Sequence, residues 1–211
     1  MSVEQGEVMF DQRSLEDAMM MYSVLGSFHR QPPSDEVLAQ FRGFLNQWPE
    51  AGELGQRGLA HLAQSEQAGE DAAAIRADHT SLYGVTAVAL VAPYESVHRD
   101  HDRLLFDEST LQVREAYREL GFSAPRLNKE PDDHIGLEFN FMARALELAL
   151  TAHDAGDAEN AKWFLDRART FHREHLAQWA AEMLEQVEAL AGTHMMKGLA
   201  LLSRGVLDRP L

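Results

Sequence analysis

Residues 131–153 read PDDHIGLEFNFMARALELALTAH, and their periodicity admits one structure. Ile135, Phe139, Met142, Leu146, Leu150 and His153 recur at three- and four-residue spacings, which places them on one face of a helix. Pro131 fixes the backbone ahead of that helix and biases its predecessor to an extended form. Asp133 stands where an N-cap carboxylate is wanted, and His134 falls in the first turn, where the positive helix end depresses a histidine pKa. Asp154-Ala155-Gly156-Asp157 is the turn that ends it.

The same period extends in both directions. Leu15, Met19, Tyr22, Leu25 and Phe28 form a stripe in a helix predicted over Ser14–Phe28, with Ser14 as its cap. Pro32-Pro33 stops it. Ser34 caps a helix bearing Val37, Leu38, Phe41, Phe44 and Leu45. Further helices are expected at 54–63, from 66 towards Tyr83, at 94–105 and at 109–120, the last closed by Gly121. Gly84–Ala92, GVTAVALVA, has strand composition but no partner strand, so it reads as an extended loop. From Ala158 to Leu190 there is no Pro or Gly. The stripe Phe164, Ala168, Phe171, His175, Trp179, Met183, Val187 and Leu190 spans it, and a break is expected near 170–173 because a globular helix of that length is unusual. A final helix covers 193–203. The expected fold is all-α, a single compact bundle of about nine to eleven helices. Its N-terminal lobe is 10–122 and its C-terminal lobe 133–205, with the polar, proline-containing segment 123–132 as a hinge.

Composition narrows function. With 211 residues and 45% hydrophobic content the chain can bury a sizeable core. No run approaches the roughly 20 apolar residues of a membrane span, and the acidic start, Met1–Phe10, is unlike a secretory leader. Cysteine is absent, which excludes disulfides, zinc–thiolate sites and thiol chemistry and fits a cytoplasmic location. The net charge of -15 disfavours nucleic acid and anionic membranes and favours basic partners.

Ten histidines raise the question of a metal. Glu95-x-x-His98 has the spacing of a di-iron ligand pair, but no second copy exists. His101-Asp102, His153-Asp154 and Asp133-His134 are the dyads of a helical metal-dependent phosphohydrolase, which is the alternative reading. His172-x-x-His175 suits zinc in spacing, yet His175 lies on an apolar stripe, where a packed histidine is the better reading. There is no G-x-S-x-G, no phosphate loop and no dinucleotide fingerprint. No cofactor is expected.

Four stretches resemble one family. Glu130-Pro-Asp-Asp-His134, continued by Ile-Gly-Leu-Glu and Phe141-Met142, resembles the signature of the TorD/DmsD/NarJ redox-enzyme maturation chaperones. Tyr22-Ser-Val-Leu25 with Phe28 and Pro32-Pro33 resembles the family's first helix. Leu82-Tyr83-Gly84 followed by Ala92-Pro93-Tyr94-Glu95-Ser96-Val97 resembles its central pair of motifs, and Phe171…His175-Leu176…Trp179 its last. They occur in order across about residues 15–203. This chain departs from the pattern at His98, where many members have Tyr, and at His79, where some have Trp.

The resemblance implies an all-helical chaperone that is not an enzyme. Such a protein binds the twin-arginine signal peptide, and the apo-form, of a molybdoenzyme catalytic subunit in the cytoplasm. Leu82, Tyr83, Pro93 and Tyr94 are then expected to take the peptide's apolar stretch. Glu130, Asp132 and Asp133 are expected to face its arginines, with His134 beside them. A monomer is expected as the main species, with a minor dimer formed by exchange of the C-terminal lobe.

Overall fold

The computed structural model describes residues 11–50, 52–84, 89–99, 108–125 and 131–211. Ten α-helices occur among these: α1 (Gln12–Arg30), α2 (Asp35–Phe44), α3 (Gly52–Gln67), α4 (Ala72–Tyr83), α5 (Glu95–Arg99), α6 (Glu108–Glu119), α7 (Ile135–Asp154), α8 (Ala158–Phe171), α9 (Ala177–Leu190) and α10 (His194–Leu207). A short 3-10 turn, Leu45–Gln47, extends α2 towards Trp48. The fold is all-α, as its periodicity requires.

Helix starts follow from short polar side chains. Ser34, Asp71, Asp157 and Thr193 each accept a backbone N–H from the first turn of the following helix. The start of α1 is one such cap further out than expected: Asp11, not Ser14, accepts, and Ser14 supplies the N–H. The start of α10 is held from outside as well. Glu70 accepts from the backbone N–H of His194 and Met195, and Asp78 from those of Gly192 and Thr193. Carboxylates at that end complement the helix dipole.

Two close helix pairs, α1 with α7 and α3 with α10, run antiparallel through the core. Glycine makes each crossing tight. A Cβ built on Gly136 would lie 2.6 Å from the Gly26 carbonyl oxygen, and one on Gly58 would lie 3.0 Å from that of Gly198. Tyr22 meets the Phe139 ring edge-on at 5.2 Å between these helices. Because α1 and α3 belong to the expected N-terminal lobe and α7 and α10 to the C-terminal one, the buried residues of both lobes form one continuous core.

The helical run after Asp157 does not break near 170–173 as expected. Instead His172–Leu176 form a single π turn, with α8 before it and α9 after it. All backbone angles at the junctions remain right-handed helical. Of the loop read in Gly84–Ala92, residues 84 and 89–92 are irregular, and Leu90 and Val91 donate to the Ser81 and Leu82 carbonyls. The other four lie outside the described residues, as do most of the proposed hinge and the His101-Asp102 dyad.

Candidate functional site

Two motif stretches, 93–96 and 131–135, meet at the head of α7. Tyr94 and His134 form an antiparallel bridge, Glu95 N–H donates to the Asp133 carbonyl at 3.0 Å, and Ile135 N–H donates to the Pro93 carbonyl at 2.9 Å. His134 occupies the N-cap position: its Nδ1 accepts the Gly136 N–H at 3.0 Å. The neutral ring therefore carries its proton on Nε2. Burial, the neighbouring Arg30 guanidinium and His79 push the His134 pKa down to about 3.

Asp133 is therefore not the cap of α7, which corrects the expectation. Its side chain is fully buried and points across the chain, accepting the Ser96 N–H and the Thr110 hydroxyl, each at 2.8 Å. It caps α5 from a distance. Burial raises its pKa, and those two hydrogen bonds oppose the rise. Asp132 is fully buried too and takes the Arg114 guanidinium through Nε at 2.9 Å. Neither carboxylate is presented at the surface, contrary to the expectation that both face a ligand's arginines. Glu130 lies outside the described residues.

Beside them lies a second buried set. Glu95 accepts from His175 Nδ1 at 2.9 Å and pairs with Arg99. Glu138, one turn into α7, accepts from Trp179 Nε1 at 3.3 Å. Burial first, then the charges of Glu95 and Asp133, hold the Glu138 carboxyl well above the usual carboxylate range. Its other oxygen, Oε1, has no hydrogen-bond partner among the described residues. Trp179 also stacks on the His98 ring at 5.3 Å. The π turn sets this up by bringing His175 and Trp179, four residues apart, against α5 and α7 together.

The network fixes the rim of a cavity of about 320 Å³, lined by Arg30, His79, Tyr83, Tyr94, Pro131 and His134 among others. Behind it His29 is fully buried and bridges Tyr83 Oη at 2.9 Å to Ser203 Oγ at 2.8 Å. His79 donates to the His29 carbonyl at 3.1 Å. Burial keeps both histidines neutral and raises the Tyr83 pKa. An adjoining cavity of about 260 Å³ shares Arg30 and Leu137 and is walled by Phe122, Pro125 and Phe141. No carboxylate lines either cavity among the described residues.

Three of the eight residues singled out from sequence thus share this place: Tyr83, Tyr94 and His134. Leu82 is fully buried in the core and Pro93 serves through its carbonyl. Sequence reasoning missed Arg30, Leu137 and Phe122. Their signal was weak, since each sits at the edge of a helix or just beyond it. It noted His79 only as a departure from the family pattern. Among the described residues no group of three or more His, Asp or Glu could hold a metal ion.

The class this geometry defines is a helical binding protein whose motif residues stiffen a ligand groove. The chain belongs to the family described as nitrate reductase delta subunit, which matches residues 32–185 and is a family of maturation chaperones, not enzymes. It is 32% identical over 111 residues to the Haemophilus influenzae protein named "Probable Tat proofreading chaperone DmsD". That match takes in 53% of this chain and 47% of the relative, about half of each. The crystal structure of an Archaeoglobus fulgidus protein described as a redox enzyme maturation protein is similar in fold, with a TM-score of 0.51 at 16% identity over 95% of this chain and 98% of that one. No helix among the described residues is long and apolar enough to cross a membrane.

Proposed function

We propose that this protein is a cytoplasmic proofreading chaperone. It binds the twin-arginine signal peptide of an exported redox enzyme, a molybdoenzyme catalytic subunit in its apo-form, and holds back export until the cofactor is in place. The observation that carries the reading is the pair of adjoining cavities at the head of α7, aromatic in lining and framed by motif residues that are themselves locked by hydrogen bonds. Pre-organised apolar walls with a few polar groups suit an apolar peptide segment, because little side-chain entropy is lost on binding. The net charge of -15 draws a basic peptide to the protein and speeds encounter. Asp132 and Asp133 serve this site from below by holding its rim. The working species is a monomer, with a slowly exchanging dimer formed by swapping the C-terminal lobe.

Calorimetry with a synthetic leader carrying Arg-Arg and its apolar run tests the reading. Micromolar binding or tighter, about -8 kcal/mol, is expected. Tyr94→Ala is expected to weaken it about tenfold while the melting temperature stays within a few degrees. No binding by several such leaders, or a loss in Tyr94→Ala that merely tracks stability, would overturn it.

A further inference from the structure

The groove does not end at Phe141. Asn140 and Arg144 close the second cavity and also line a third, of about 540 Å³, formed between α1 and α7 by Met19, Met20, Val24 and Ala143. Neighbouring cavities share lining residues, so the three follow α7 as one path from His134 to Glu147. At 1.5 Å per residue that path is about 20 Å long, the length of an apolar helix of about 13 residues. Methionine-rich walls adapt to side chains of varied shape, as a site for an apolar run requires.

Charge gives the path a direction. Arg30 lines both inner cavities and has no hydrogen bond or ion pair among the described residues. A cationic group placed there would meet a guanidinium in a low-dielectric pocket. The outer end is the opposite. Glu147 is exposed at its margin on α7, and Glu16, exposed on α1, stands three and four residues before Met19 and Met20, on the same helix face.

We infer that the groove holds the leader lengthwise, with its two arginines at the methionine end against Glu16 and Glu147 and its apolar run directed along Phe141 towards Tyr94. This rests on the signal-peptide reading above and adds the orientation, the arginine subsite and the groove's full extent. It also resolves the burial of Asp132 and Asp133, because the arginines never approach them.

The test uses the full chain and two leaders, one with Arg-Arg and one with both arginines replaced by Gln, at low ionic strength. Glu16 and Glu147 are exposed, so charge reversal leaves the fold intact. The double variant Glu16→Lys/Glu147→Lys is expected to weaken the Arg-Arg leader at least tenfold, to leave the Gln-Gln leader unchanged, and to lose its effect as salt rises. A control of equal net charge, Glu159→Lys/Glu182→Lys, on exposed positions away from the groove, is expected to change neither leader more than twofold. Equal weakening of both leaders, or an effect matched by the control, overturns the orientation. So does wild-type affinity in the double variant together with a loss in Tyr94→Ala; that result leaves the binding reading standing. A wild-type protein that binds neither leader sinks both.

Discussion

Glu138→Gln separates a structural carboxyl from a charged one. Glu138 is fully buried and lies near the Glu95 and Asp133 carboxylates, which hold its pKa well above 4.5. In the unfolded chain the same group ionises at its ordinary value. The folded state therefore binds more protons than the unfolded state over the whole window between those two values. Stability is complete below about pH 4.5 and falls as pH rises through that window, by about 1.4 kcal/mol for each pH unit in which the folded carboxyl stays protonated. Glutamine mimics the neutral acid: its oxygen can accept from Trp179 Nε1, and its amide can donate where the proton stood. Glu138→Gln is thus expected to match the wild type near pH 4.5 and to exceed it increasingly towards pH 8. For a chain of this size 1 kcal/mol corresponds to about 2–4 °C in melting temperature. Paired melts at half-unit pH steps are expected to diverge by about 3–5 °C per unit. Parallel curves, or a variant less stable than wild type at pH 7, would refute the argument that burial and neighbouring carboxylates keep Glu138 neutral.

Asp133→Asn leaves one of two buried donors, Ser96 N–H or the Thr110 hydroxyl, without an acceptor. It is expected to cost about 1–3 kcal/mol in chemical denaturation, where a solvent-facing cap would show almost nothing. Gly136→Ala brings a Cβ to 2.4 Å from Arg30 Cγ and 2.6 Å from the Gly26 carbonyl, so denaturant midpoints are expected to drop by the equivalent of about 1–3 kcal/mol. His134→Asn keeps an N-cap but removes a group whose pKa falls from 6.5 to about 3 on folding. Wild type loses stability as pH falls through that window, and the variant is expected to show a shallower acid slope in melts from pH 6.5 to 4.

The helices were legible because apolar residues recur at helical spacing, and caps such as Ser34 could be read from one side chain. The place of the site was legible through resemblance, which brought Tyr83, Tyr94 and His134 forward. What could not be read was direction. Asp132 and Asp133 look alike in sequence, as polar residues after a proline. Only tertiary packing shows that one meets Arg114 and the other turns to α5. The same limit hid Arg30: nothing local distinguishes an arginine that closes a helix from one laid across Gly136 into a cavity.

The π turn has a consequence for how insertions and deletions act. From Phe171 the inward residues step by four, to His175, Trp179, Met183 and Val187. In an α-helix each such step overshoots a full turn by about 40°. The extra residue held by the π turn, whose bonds close over five residues, takes up one overshoot and keeps the stripe on one side. Deleting any one residue of 172–176 would leave helix propensity almost unchanged and restore a regular helix. It would also swing everything beyond by about 100°, carrying the Trp179 indole away from Glu138 and Met183 out of the core. Length, more than identity, is what natural variation must preserve in this segment.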